Sequence, residues 1–88
     1  MDHQSITDAL IELLAEQGVD IRRDGLGNGG GGLCMMDGKK LFILNKDAPS
    51  FDRAISCAHA AVEVITDLDS VYLRPVVRDF IDKYGKEQ

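Results

Sequence analysis

The stretch Leu33 to Asn45, LCMMDGKKLFILN, decides the fold. Two apolar runs, Leu33 to Met36 and Leu41 to Asn45, flank Asp37-Gly38, a pair that accepts the positive φ angles of a type I′ turn. The pattern predicts a tight β-hairpin. Side chains alternate along a strand, so the turn also sets the register. Leu33 faces Phe42 and Met35 faces Lys40 on one side; Cys34 faces Leu41 and Met36 faces Lys39 on the other. Both sides are largely apolar, so the second face requires a cover, either a helix or a second subunit. Met36, Leu41 and Ile43 mark that face as the candidate interface.

Upstream, Ile6, Leu10, Leu13, Leu14 and Gln17 follow helical spacing, with Ser5 placed to cap the start and Gly18 to end it. Val19-Asp20-Ile21-Arg22 alternates as a short half-buried strand does, until Asp24-Gly25 breaks it. Downstream, Ser50 is placed to cap a helix from Phe51 to about Thr66, with Phe51, Ile55, Ala58, Val62 and Ile65 on one stripe. Ala54, Cys57, Ala61 and Val64 widen the stripe, so this helix touches two neighbours. Pro75 suits a first helical turn, and Val77, Phe80, Ile81 and Tyr84 line the inner side of a last helix ending at Gly85. The expected class is α+β: a small antiparallel sheet, made of the hairpin and a short strand, packed with three helices in the order α-β-β-β-α-α.

Eighty-eight residues form a single domain, 1–88, able to bury about 60 to 65% of its unfolded surface. Fifteen acidic against ten basic residues give a net charge of −5, which opposes the counterion release that draws proteins onto nucleic acid. No basic and apolar leader opens the chain and no run reaches the length of a membrane span, so the expected location is the cytoplasm, with no membrane partner. Cys34 and Cys57 fall in a strand and a helix and read as two reduced core thiols rather than a disulfide.

Before the hairpin lies DGLGNGGGG, Asp24 to Gly32, whose GLGNGG spells a dinucleotide fingerprint. A phosphate-binding loop leads from a strand into a helix, because the helix N-terminus supplies free N–H groups. Here a strand follows, and no Gly-Lys-Ser/Thr completes a P-loop, so no nucleotide or other cofactor is expected. Gly29, Gly30, Gly31 and Gly32 are expected to form a flexible connection, and the candidate binding segment if another backbone approaches closely.

His59 and Glu63 are four apart on the central helix and so share a side, the weak candidates for a metal. A further ligand would have to come from elsewhere, and the simpler reading is a boundary histidine bonded to Glu63. Cys57 and His59 point apart on the helix, and Cys34, set opposite Leu41, reads as a buried inert thiol; no catalytic residue is assigned.

The phrase LFILNKDAPSFDRAISCAHAAVEVI, with Ile43-Leu44-Asn45, Pro49, Arg53 and Ala58-His59, resembles the amino-terminal core of the ImmA/IrrE type of zincin metallopeptidase. That family carries A-H-E-x-x-H on the helix after a strand ending in Asn. His59 matches the first histidine, but Ala60 stands for the general-base Glu and Glu63 for the second histidine. The resemblance therefore implies a catalytically dead relative, since zinc hydrolysis needs both imidazoles and the carboxylate. The leading expectation is a non-enzymatic interaction or regulatory module that forms a homodimer or binds a protein partner. The alternative is a degenerate zincin-like hydrolase relative, or a subunit completed by a partner.

Overall fold

The computed structural model describes residues 1–86. Helix α1 (His3–Glu16) leads to strand β1 (Asp20–Asp24), the hairpin β2 (Gly32–Met36) and β3 (Lys39–Asn45), helix α2 (Ser50–Val64), a short 3₁₀ turn (Leu68–Ser70) and helix α3 (Pro75–Phe80), which widens into a π turn (Ile81–Gly85). The α+β class and the element order follow the expected pattern.

The hairpin forms in the expected register, Leu33 opposite Phe42 and Cys34 opposite Leu41, and Asp37 (φ 52°) and Gly38 (φ 78°) make the positive-φ pair at its tip. β1 pairs with β3 in parallel, Asp20 opposite Leu41 and Asp24 opposite Asn45, so the strand order is β1-β3-β2 and the sheet is mixed. Only the hairpin is antiparallel. The chain leaves β1 at one edge of the sheet and enters β2 at the other, and residues 25–31 must step across the end of β3 between them.

Helix boundaries differ from the sequence reading at both capping serines. Asp2, not Ser5, caps α1: its carboxylate accepts the Ser5 N–H at 2.8 Å, and that bond holds the Asp2 carboxyl below its ordinary value. An aspartate already stands one helical turn ahead of Ser5, and it takes the free N–H first. At α2, Pro49 occupies the cap position without a side-chain bond, and Ser50 lies inside the helix. The far end of α1 is as expected, Gly18 N–H donating to Ala15 and Val19 N–H to Leu14, a Schellman closure that turns the chain into β1.

All helices lie on one face of the sheet. Phe42, Leu44 and Val19 are buried with Ile6, Leu10 and Leu14 of α1, Val77 and Ile81 of the last helix and the alanines of α2, while Ile21 and Leu33 pack against this cluster from the sheet. Burying Phe42 and Leu44 contributes about 1.5 to 3 kcal/mol each. Along α2 the fully buried line is Ala54, Cys57, Ala58, Ala61 and Ile65, and Phe51, Ile55 and Val62 flank it half-buried. Small residues at the centre let neighbours approach. Gly85 uses this: a Cβ there would sit 3.1 Å from the Ala58 carbonyl oxygen and 3.2 Å from Val62. The π turn brings Tyr84 edge-on to Phe51 at 5.1 Å, and His3 lies 4.8 Å from the same ring, which ties the start of α1 to the π turn through α2.

Candidate functional site

The glycine-rich segment is organised by a residue that sequence reasoning passed over. Asn45 ends β3 and is buried, and its amide makes four bonds: Oδ1 accepts Leu26 N–H at 3.0 Å and Asp47 N–H at 3.0 Å, and Nδ2 donates to the Gly27 carbonyl at 3.0 Å and the Gly29 carbonyl at 2.9 Å. A primary amide presents two donors and two acceptor sites, and all are used. Asp47 adds a carboxylate on Gly27 N–H at 3.1 Å. The loop is thus pinned where it steps over β3. At Gly31 the chain runs so close to the Ile43 carbonyl that a Cβ has no room. The close backbone approach considered from the glycines is made, at this position, by the protein's own central strand.

Between this loop and the first turns of α2 lies a cleft of about 350 Å³ lined by Gly30, Asn45, Asp47, Asp52, Arg53 and Ser56. Asp47 and Asp52 line the cleft with two carboxylates, which disfavour an anion such as a phosphate, and the element after the loop is strand β2, so the loop leads into no helix. Arg53 is bonded to the Ala48 carbonyl and to Gln4 Oε1. Asn45, Asp47 and Arg53 of the cleft are committed to holding the chain.

His59 and Glu63 stand exposed on α2, beside β2. His59 Nε2 lies 3.0 Å from the Tyr84 carbonyl, so its partner is the π turn and not Glu63, as the sequence suggested. The helix delivers Tyr84 to the same flank, a contact that local spacing does not reveal. Among the described residues no three or more His, Cys, Asp or Glu side chains are grouped to hold a metal ion.

Cys57 is buried in the helix layer, and burial pushes its thiol up to about 12. Cys34 is exposed, which corrects the reading of it as a core thiol. Its place opposite Leu41 was right, but the face they share is bare. Cys34, Met36, Leu41 and Ile43 all lie on the side away from the helices, and none belongs to the core or packs against it; Met36 is 57% exposed. Of the two covers the sequence left open, a helix or a second subunit, no helix packs on this face among the described residues. Around the apolar centre stand Asp20, Arg22 and Asp24 of β1 and Lys39 of β3, with Arg22 3.7 Å from Asp24.

Arg78 is a second residue whose role the sequence did not disclose. It donates to Asp69 at 3.0 Å and to the Leu68 and Val71 carbonyls, fastening the 3₁₀ turn to α3. The acidic pair of that turn is thereby divided: Asp69 binds Arg78, and Asp67 accepts Asp69 N–H. No helix is long and apolar enough to cross a membrane among the described residues. Comparison with protein-family models, curated proteins and solved structures finds no match.

Proposed function

We propose that this chain is a non-enzymatic interaction module that pairs with a second copy of itself through the bare face of its sheet. The observation that carries this reading is the apolar row Cys34, Met36, Leu41 and Ile43, the first two exposed and the last two half-buried, none of them packed against the core while the helices sit on the opposite face. Leaving such a row in water forgoes about 25 cal/mol for each Å² of apolar area that could be buried. The rim favours a copy of the same surface. It carries both signs, Asp20 and Asp24 beside Arg22 and Lys39, so a twofold arrangement can set acid against base rather than like against like. The commitment of Asn45 and Arg53 to main-chain groups supports a binding role over a catalytic one.

Light scattering tests the proposal. Ile43→Asp sets a carboxylate at the centre of the face, and in an interface it is expected to halve the mass of the assembly while circular dichroism stays that of the wild type. A wild-type protein that scatters as one chain throughout the micromolar range overturns the proposal, as does a folded Ile43→Asp variant of unchanged mass.

A further inference from the structure

The two edges of the sheet differ. β1 reads DIRRD, and its charges discourage another strand from pairing there. β2 reads GLCMM, with no charge, proline or bulge to protect it. In a hairpin closed by a two-residue turn, Met36 and Lys39 exchange hydrogen bonds, and the pattern alternates along the strand. Cys34 therefore also bonds toward β3, whereas Leu33 and Met35 direct their N–H and C=O groups to the open side.

Beside this edge, between β2 and α2, runs a groove of about 510 Å³ lined by Leu33, Ser56, His59, Ala60, Val62 and Glu63. Met35 shares the helix-side face with Leu33 yet is 64% exposed, because the helix layer does not extend over it. An uncharged open edge, a groove next to it, and a long apolar side chain without a place in its own chain are three separate features of one strand.

We infer that two copies join along β2, antiparallel about a twofold axis at Cys34, doubling the three-stranded sheet. In that register Leu33 of one copy and Met35 of the other exchange main-chain hydrogen bonds, twice by symmetry. Each Met35 side chain then lies next to the other copy's Leu33, over the groove of that copy. The uncharged strand meets no like charge in its counterpart. The two Cys34 residues oppose each other as a non-hydrogen-bonded pair with Cα atoms about 4.5 Å apart, within the range of about 4.4 to 6.8 Å that a disulfide spans. The inference shares self-association with the proposed function but uses the edge instead of the face, and if both contacts form, the assembly contains four chains.

The experiment is run on Ile43→Asp, which removes the face contact and leaves β2 intact. Two additions to it probe the edge. Met35→Pro deletes an outward N–H that the hairpin does not use, and Met35→Asp aims a carboxylate at Glu63 across the new contact. Diamide supplies a covalent readout: two Cys34 thiols lose two protons and two electrons to it, an S–S bond forms, and diamide is reduced to the hydrazine. The expected results are a mass of two chains for Ile43→Asp, a covalent dimer through Cys34 on oxidation, and one chain with loss of that dimer when either Met35 change is added. If Met35→Pro fails to fold, Met35→Asp decides, since that side chain is exposed in the single chain. A folded Ile43→Asp protein that scatters as one chain overturns the edge and leaves the face standing. A pair that survives Met35→Asp with its mass unchanged also overturns the edge. A wild type of one chain overturns both.

Discussion

Replacing Asn45 by Ala removes four hydrogen bonds at once and leaves their partners, Leu26 N–H, Asp47 N–H and the Gly27 and Gly29 carbonyls, without the amide that holds them. At about 1 kcal/mol net for each bond the gross loss is about 4 kcal/mol. Gly27 and Gly29 are exposed, however, so water replaces the amide at their carbonyls. That halves the loss to about 2 kcal/mol, equivalent to a fall in Tm of about 8 to 16 °C for a domain of this size. Asn45→Asp separates the two sides of the amide. It keeps the acceptors for Leu26 and Asp47, loses both donors, and turns a carboxylate toward two carbonyls and Asp47. It is expected to cost at least as much as Ala at neutral pH and to recover partly in acid as the new carboxyl protonates. Thermal melts with native-state hydrogen exchange at Leu26 and Asp47 measure both effects. A Tm within about 2 °C of wild type for Asn45→Ala, together with unchanged exchange at those amides, would refute the role assigned to this residue.

The remaining predictions concern single groups. In the single chain, obtained by adding Met35→Asp to Ile43→Asp, Cys34 is expected to react with a thiol reagent while folded, and Cys57 only after unfolding; equal rates would sink the burial argument. The raised thiol of Cys57, about 12 against 9.0, means that above pH 9 the unfolded chain loses a proton the folded chain keeps, so stability falls by about 1.4 kcal/mol for each pH unit from 9 toward 12. Cys57→Ala should flatten that slope in urea titrations. Two adjacent glycines should part ways: Gly31→Ala, forced against the Ile43 carbonyl, is expected to cost about 1 to 3 kcal/mol, whereas Gly30→Ala, facing open space, should be neutral or stabilise by up to about 1 kcal/mol. His59→Gln removes one exposed contact to the Tyr84 carbonyl and is expected to cost less than about 1 kcal/mol; a larger loss on chemical denaturation argues against so minor a role.

What the sequence disclosed depended on how local the determinant was. Asp37-Gly38 and the period of two carry the hairpin and its register in thirteen consecutive residues, Leu33 to Asn45. Pro75 and Gly18 mark helix ends by their own backbone preferences. The parallel pairing of β1 with β3 has no such local sign, because its partners lie on either side of the glycine segment. Asn45 was visible only as the end of a strand, since three of its four partners are sixteen to nineteen residues away. Cys34 was misplaced for a different reason: an apolar strand face implies a cover, and the sequence cannot say whether that cover is part of the same chain. Within α2 the larger residues drew the stripe, yet packing centred on the alanines, where two neighbouring elements need room.

The strand order also dictates a sequence of events at the ribosome. β1 emerges first but belongs beside β3, the last strand to be synthesised, so it waits as an unpaired segment while the glycines and β2 are added. Its charges, DIRRD, suit a strand that must stay solvated in that interval. β2 and β3 close through their own two-residue turn on the microsecond scale typical of hairpins. Only afterwards does β1 have a neighbour to join, and only with both edges in place can Asn45 take its bonds across the intervening loop. The amide of Asn45 thus acts as a latch on assembly, and protection of the Leu26 and Asp47 amides during refolding should lag behind that of the hairpin.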